Sequence, residues 1–168
     1  MQKYRIFILC LSLLLQACNT PSEEAGNAVI QGLPTPNKPI ALQFKAKEHV
    51  NIGDPMHLSL WTEQNGRLWL LIVEPDNSIS LIYPNKNAMD NTVIAKQWIS
   101  IPAKEADWRI VAAAPGGISQ LIAILTPPDI DLEADLLALN NASQLSDIHE
   151  TLNALETWGI QTKTITVE

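Results

Sequence analysis

Residues 66 to 85 decide the fold: Gly66-Arg67-Leu68-Trp69-Leu70-Leu71-Ile72-Val73, then Glu74-Pro75-Asp76-Asn77, then Ser78-Ile79-Ser80-Leu81-Ile82-Tyr83-Pro84-Asn85. Leu68–Val73 is apolar at every position and bounded by turn formers. It reads as a strand covered on both faces, so it is placed at the centre of a sheet. Glu74-Pro75-Asp76-Asn77 is a turn, with Pro75 preset for its second position. Ile79–Tyr83 is the next strand, and Pro84-Asn85 ends it.

Upstream of this stretch the period is two. Ile40, Leu42 and Phe44 alternate with Ala41, Gln43 and Lys45. Met56, Leu58 and Leu60 alternate with His57, Ser59 and Trp61. Both runs read as half-buried strands. Asn65-Gly66 is the strongest short hairpin signal in the chain, because both residues tolerate positive φ. It predicts that Thr62 pairs with Trp69 and Trp61 with Leu70.

Downstream, Lys86–Asn91 is a polar loop. Trp98–Ile101 and Trp108–Ala112 are short strands around Pro102, and Pro115-Gly116-Gly117 turns the chain into Leu121–Leu125. The period then becomes helical. A weaker piece covers Leu132–Leu139, and Leu145, Ile148, Leu152 and Leu155 make one apolar stripe. The spacing predicts a helix near residues 143–158, capped by Ser143 or Ser146 and ended at Gly159. Trp158 would seal it to a sheet. Thr162–Val167 closes the chain as a strand, β-branched on both faces. The fold class expected is mainly β: an antiparallel β-sandwich of roughly eight short strands with a C-terminal helical insertion before the last strand.

The chain has 168 residues, 46% of them hydrophobic, which suits one domain with a real core. Its net charge of −7 argues against nucleic acid, since phosphate neutralisation needs clustered cations. The N-terminus reads as an address. Lys3 and Arg5 precede the apolar run Ile6–Leu15, which is too short to span a bilayer needing roughly 20 residues. Leu15-Gln16-Ala17-Cys18 follows and resembles the bacterial lipobox. That resemblance implies cleavage before Cys18, diacylglycerol on its sulfur and an acyl chain on its new amine. Several chains anchor firmly where one, at about 0.8 kcal/mol per buried CH₂, is marginal. Residues 1–17 are thus expected to be a signal peptide, 18–39 a flexible tether rich in Pro and small residues, and 40–168 the domain. Asn19 follows Cys18 where enteric-type lipoproteins retained at the inner membrane carry Asp. The resemblance therefore implies the outer membrane, at its periplasmic face. Loss of Lys3 and Arg5 leaves nine cations against eighteen acids, a net −9. Cys10 leaves with the leader, so the mature domain has no disulfide although its compartment permits them.

Gly53-Asp54-Pro55, Leu68–Val73, Ile79-Ser80-Leu81-Ile82-Tyr83-Pro84-Asn85, Asp90-Asn91, Ile99-Ser100-Ile101-Pro102, Ala114-Pro115-Gly116-Gly117 and Leu121-Ile122-Ala123-Ile124 form an ordered set of motifs. Together they resemble the bacterial domain of unknown function 4384, over roughly Ile40 to Thr126. Tyr83-Pro84-Asn85 is the most specific piece. Asn77 replaces the usual turn glycine, which its tolerance of the left-handed region allows. Lys96 stands where the family often has glycine, so a different backbone is expected there. The resemblance implies an extracytoplasmic β-rich interaction module and brings no catalytic residues.

The residues themselves point to no chemistry. His49 and His57 flank Asp54, two histidines and one acid where a metal wants three or four ligands. No G-x-S-x-G elbow or S-x-x-K occurs. Glu74 and Asp76 sit on a turn, while Asp129, Asp131, Glu133 and Asp135 precede or open a helix, whose dipole they complement. Pro115-Gly116-Gly117 lacks the lysine and helix of a phosphate loop. No catalytic residue, no metal ligand and no cofactor is expected beyond the covalent diacylglycerol and N-acyl lipid on Cys18. Most of the five tryptophans, Trp61, Trp69, Trp98, Trp108 and Trp158, read as core. Trp61 lies opposite Leu58 and Leu60 and is a candidate contact, and the candidate interaction surface is Trp61, Asn65, Tyr83 and Asn85. A ligand carrier would enclose an empty volume of roughly 300 Å³ or more; a filled core is expected instead.

The expected function is a non-enzymatic protein-interaction module, lipid-anchored in the outer membrane and serving as an accessory of a secretion or other trans-envelope assembly. Its partners are the membrane, through the lipid, and an envelope protein. The alternative is a peptidoglycan-binding or peptidoglycan-acting envelope protein. Cys18→Ser tests the anchor: the variant is expected in the soluble fraction, and its retention with membranes would count against lipidation.

Overall fold

The computed structural model describes residues 35–168. The leader expected at 1–17, Cys18 and most of the expected tether lie outside them. The described chain begins to pair before Ile40, because Lys38–Pro39 is already a strand. No helix among the described residues is long and apolar enough to cross a membrane.

Twelve strands appear in chain order: β1 Lys38–Pro39, β2 Leu42–Lys45, β3 His49–Val50, β4 Pro55–Met56, β5 Leu58–Thr62, β6 Gly66–Val73, β7 Ile79–Tyr83, β8 Thr92–Val93, β9 Trp98–Ile101, β10 Ile110–Val111, β11 Gly117–Thr126 and β12 Thr157–Val167. Between β11 and β12 lie helix α1 (Glu133–Leu137), a 3₁₀ helix (Ala142–Ile148) and helix α2 (His149–Ala154). The large sheet runs β1-β12-β11-β6-β7, with β3 also on β12 and β8 also on β6. A small sheet runs β2-β5-β9, and β4 pairs with β10.

The apolar run read as a central strand is one. β6 lies between β11 and β7, and both of its faces are buried. Leu68 and Leu70 face the small sheet, in a core shared with Leu58, Leu60, Leu121, Ala123, Leu125 and Ile165. Trp69, Leu71 and Val73 face the other way, under Leu132, Leu136, Leu145, Ile148 and Leu152 of the helical segment. The Trp69 indole N–H donates to Thr126 Oγ1 at 3.0 Å, so even this fully buried polar atom is satisfied. The molecule is therefore mainly β, a two-sheet sandwich with a helical layer on the outer face of its larger sheet. The sheets are mixed rather than purely antiparallel, since β1 and β3 both run parallel to β12.

Two expectations are corrected. The Asn65-Gly66 hairpin does not form: β5 pairs with β2 and β9, while β6 belongs to the other sheet. A type I′ turn needs positive φ at both central residues; the positive-φ positions are Gly53, Asn77, Lys96 and Gly117. Gly66 is needed for a different reason. A Cβ there would lie 2.3 Å from the Thr126 carbonyl oxygen, where β11 ends beside it.

The helix near 143–158 divides and stops early. Asn141 caps it rather than either serine. Its side chain accepts from the Ser143 amide at 3.1 Å, and the Gln144 side chain accepts from the Asn141 amide at 3.2 Å. Leu155 is already extended, and Trp158 and Gly159 belong to β12. The predicted stripe does bury Leu145, Ile148 and Leu152. Its continuation gives way because β12 needs Gly159 through Val167 to pair with the length of β11. Lys96 adopts φ 62, in the left-handed region that favours glycine, so the lysine carries backbone strain there.

Gly66→Ala forces backbone against backbone where no flexible side chain can yield. Its expected cost is about 3 kcal/mol, the upper end of overpacking, read as a lowered denaturant midpoint at unchanged slope.

Candidate functional site

The small sheet buries one face only. Leu42, Leu58, Leu60, Thr62 and Ile101 point inward, and their alternates point out. The registers then set two rows on the outer face. Gln43, Trp61 and Trp98 stand opposite one another across β2, β5 and β9. Lys45, Ser59 and Ser100 form the adjacent row. Trp98 is 46% exposed and Trp61 is half-buried. The Lys45 ammonium lies 3.9 Å from the centre of the Trp98 ring, a cation–π contact. Its stem therefore spans the sheet diagonally and shields part of the indole.

Trp61 thus stands on the surface, as its alternation predicted, although its neighbours are Gln43 and Trp98 rather than Leu70. The structure does not bring the other three candidate residues to that face. Asn65 is exposed, but its side-chain oxygen accepts from the Ala95 amide at 2.7 Å and pins the loop before β9. Tyr83 is buried, which corrects its placement on a surface. Its hydroxyl donates to the Asp90 carbonyl at 2.6 Å. Asn85 is half-buried and donates to the Ile82 carbonyl at 2.9 Å while accepting from the Asn87 amide at 2.9 Å. The Tyr83-Pro84-Asn85 motif is therefore an internal tie. It holds the loop from 84 to 92 against β7, and Asn91 completes it by donating to the Leu68 carbonyl at 3.1 Å.

Trp98, Gln43 and Lys45 were not singled out from the sequence. Their outward position was readable from alternation with Ile99, Ile101, Leu42 and Phe44. Their neighbourhood was not, because the hairpin signal assigned β5 the wrong partner.

The acids elsewhere hold turns. Hydrogen bonds from the Ser78 side chain and then its amide keep the Asp76 carboxyl below its usual range. The Glu133 amide, and less so Arg67, does the same for Asp131. Arg67 Nη1 donates to Asp131 Oδ2 at 2.8 Å, fastening β6 to the segment before α1. His49 Nδ1 lies 3.5 Å from Glu168 Oε1, and His57 is exposed. Asp54 accepts from the Asn51 amide group at 2.8 Å. Among the described residues no group of three His, Cys, Asp or Glu is placed to hold a metal ion. A hollow of about 130 Å³, lined by Ala46, Lys47, Val50, Pro55, Met56, His57 and Leu58, is well short of the roughly 300 Å³ of a ligand pocket.

Residues 49–128 match the family model described as "Domain of unknown function (DUF4384)". The chain carries a domain resembling that family, spanning β3 to β11 and so including Trp61 and Trp98. No curated protein matches the chain, and no solved structure does.

Burial, and secondarily the negative charge of Asp90, raises the Tyr83 phenol above its ordinary value. The neutral, hydrogen-bonded phenol thus contributes stability that is complete below the unfolded value of about 10 and lost as pH rises through the folded one. Tyr83→Phe is expected to cost about 1 kcal/mol at neutral pH and to flatten the fall in stability at alkaline pH. Denaturant midpoints of both proteins across the alkaline range check this. Tyr4 and Tyr83 are the two tyrosines, so a chain without its leader reports the single phenol by ultraviolet titration.

Proposed function

We propose that this chain is a non-enzymatic binding module of the bacterial cell envelope, held at the periplasmic face of the outer membrane by lipid on Cys18. The outer face of the small sheet is its contact surface. The observation that carries the reading is the in-register pair Trp61 and Trp98 on the outer face of the small sheet, Trp98 exposed and Trp61 half-buried, neither of them in the core. Tryptophan beside amide, hydroxyl and cationic groups is the composition of a contact anchor. The lipobox pattern at 15–18 and the family resemblance support the address. Both partner classes expected from the sequence fall within this reading: a protein of a secretion or other trans-envelope assembly, and peptidoglycan.

A photo-crosslinking side chain at Gln43 in living cells tests the face, with one at Leu137, 63% exposed on α1, as the control. An adduct is expected from position 43 and not from 137, and Trp61→Ala with Trp98→Ala should abolish it without unfolding the domain. Equal adducts from both positions, no adduct at all, or persistence in the double variant would overturn the assignment of this face.

A further inference from the structure

We propose that the outer edge of β12, between β1 and β3, receives an extended peptide segment of a partner protein. The site lies on the large sheet and does not rest on the reading of the Trp61 face.

The first observation is an interrupted edge. The Trp158 carbonyl accepts from the Ile40 amide at 2.9 Å, and the Thr166 amide donates to the Glu48 carbonyl at 2.7 Å. Both groups point away from β11. The register with β11 is continuous, so alternation turns the N–H and C=O of Ile160, Thr162 and Thr164 the same way. Between β1 and β3 the chain leaves this edge and joins the small sheet as β2. No backbone group among the described residues then meets those of Ile160, Thr162 and Thr164 on that side. β2 passes on the small-sheet side, so the opening faces the side of the helical layer. It spans roughly 13 Å from Ile160 to Thr164, the length of about three or four extended residues.

The second observation is an orphaned acceptor. An open groove of about 440 Å³ follows the opening, with Gln120, Thr162, Thr164 and Thr166 in its lining. Gln120 stands between Val73 and Thr164 in the registers and is 4% exposed. Its Oε1 is buried without a hydrogen-bond partner among the described residues. Burying an acceptor without a donor is unfavourable. A half turn of the amide puts that oxygen where its nitrogen stands, and an N–H offered in the groove would satisfy it.

The third observation selects a peptide over a charged ligand. Lys163 and Glu48 pair with each other, and His49 lies against Glu168. What the groove offers is therefore neutral: an amide, three hydroxyls and the backbone of β12. The threonines alternate along the strand, about 6.6 Å from one to the next. An extended peptide presents its N–H and C=O pairs to one side at that same repeat. Ladder bonds then supply affinity whatever the side chains, and the groove reads those that fall toward Gln120.

The test uses the full lipidated chain in detergent and a random heptapeptide library displayed on phage, with selected sequences then made as end-capped peptides. In the free protein the Thr162 and Thr164 amides are expected to exchange with deuterium about tenfold or more faster than those of Gln161 and Lys163, which face β11. Bound peptide should slow the two fast amides by a similar factor. Methylating alternate peptide nitrogens should abolish binding, since it removes main-chain donors alone. Thr164 is exposed, so Thr164→Arg should fold normally and block the groove. Gln120→Leu removes the orphaned acceptor, should fold at least as stably, and should weaken binding by about fivefold or more. Trp61→Ala with Trp98→Ala should leave peptide affinity unchanged, which separates this edge from the tryptophan face. A library that yields no binder, binding that leaves the Thr162 and Thr164 amides fast, or binding that survives nitrogen methylation would overturn the proposal. Slow exchange at both amides in the free chain would overturn it too. The edge would then belong to residues 19–34 if deleting them releases the amides, or to a second copy of the chain if dilution does.

Discussion

Two strands, β6 and β11, carry large apolar side chains on both faces, and water must be kept from all of them. Leu68, Leu70, Leu121, Ala123 and Leu125 point one way; Trp69, Leu71, Val73, Ile122 and Ile124 point the other. Fully burying one such side chain is worth about 1.5–3 kcal/mol, while a whole domain is stable by roughly 5–15 kcal/mol. Either face left open would forfeit several such contributions and exceed the total. The central pair therefore dictates three layers: a small sheet on one side, the sheet itself, and a helical segment on the other.

The chain's path follows from that demand. It must leave the small sheet after β5 and enter the large one at β6, and it does so through Glu63-Gln64-Asn65 rather than a tight hairpin. The passage is pinned at Thr62, whose carbonyl accepts from the Lys96 amide at 2.7 Å, and at Asn65, which holds Ala95. Gly66 removes the side chain that would strike the Thr126 carbonyl, and Gly159 does likewise against the Ile40 carbonyl, which a Cβ would approach to 2.6 Å. On the far edge, β1 and β3 hold the two ends of β12 while β2 crosses between them into the small sheet. Once both faces of the large sheet are served, one sheet surface is left without a packing role among the described residues: the outside of β2, β5 and β9.

Much of this was legible. Leu68–Val73 announced a doubly covered strand, Asn77 a left-handed turn position confirmed at φ 67, and Leu145, Ile148 and Leu152 a buried stripe. These signals are local, so neighbours in sequence suffice to read them. Asn65-Gly66 misled because its meaning depends on Thr126, sixty residues away, whose carbonyl no local pattern reveals. Tyr83 and Asn85 were read as surface for a related reason. Polar tips that donate to nearby carbonyls look the same in sequence as polar tips that face water. The pairing of Trp61 with Trp98 was hidden by the same error at residue 65, since a strand's outer face takes its character from its true partner.

The character of that face is not what strand formation alone requires. Threonine or valine would serve β5 and β9 as well and leave less apolar surface in water. β9 is moreover the edge of its sheet, where exposed aromatic side chains and unpaired backbone invite association between copies. Lys45 answers both hazards at once. Its stem shields part of the Trp98 indole, and its ammonium adds a charge beside the edge. Two outward indoles, with a lysine laid across one of them, are the features of this face that packing does not account for, and the proposed contact role rests on them.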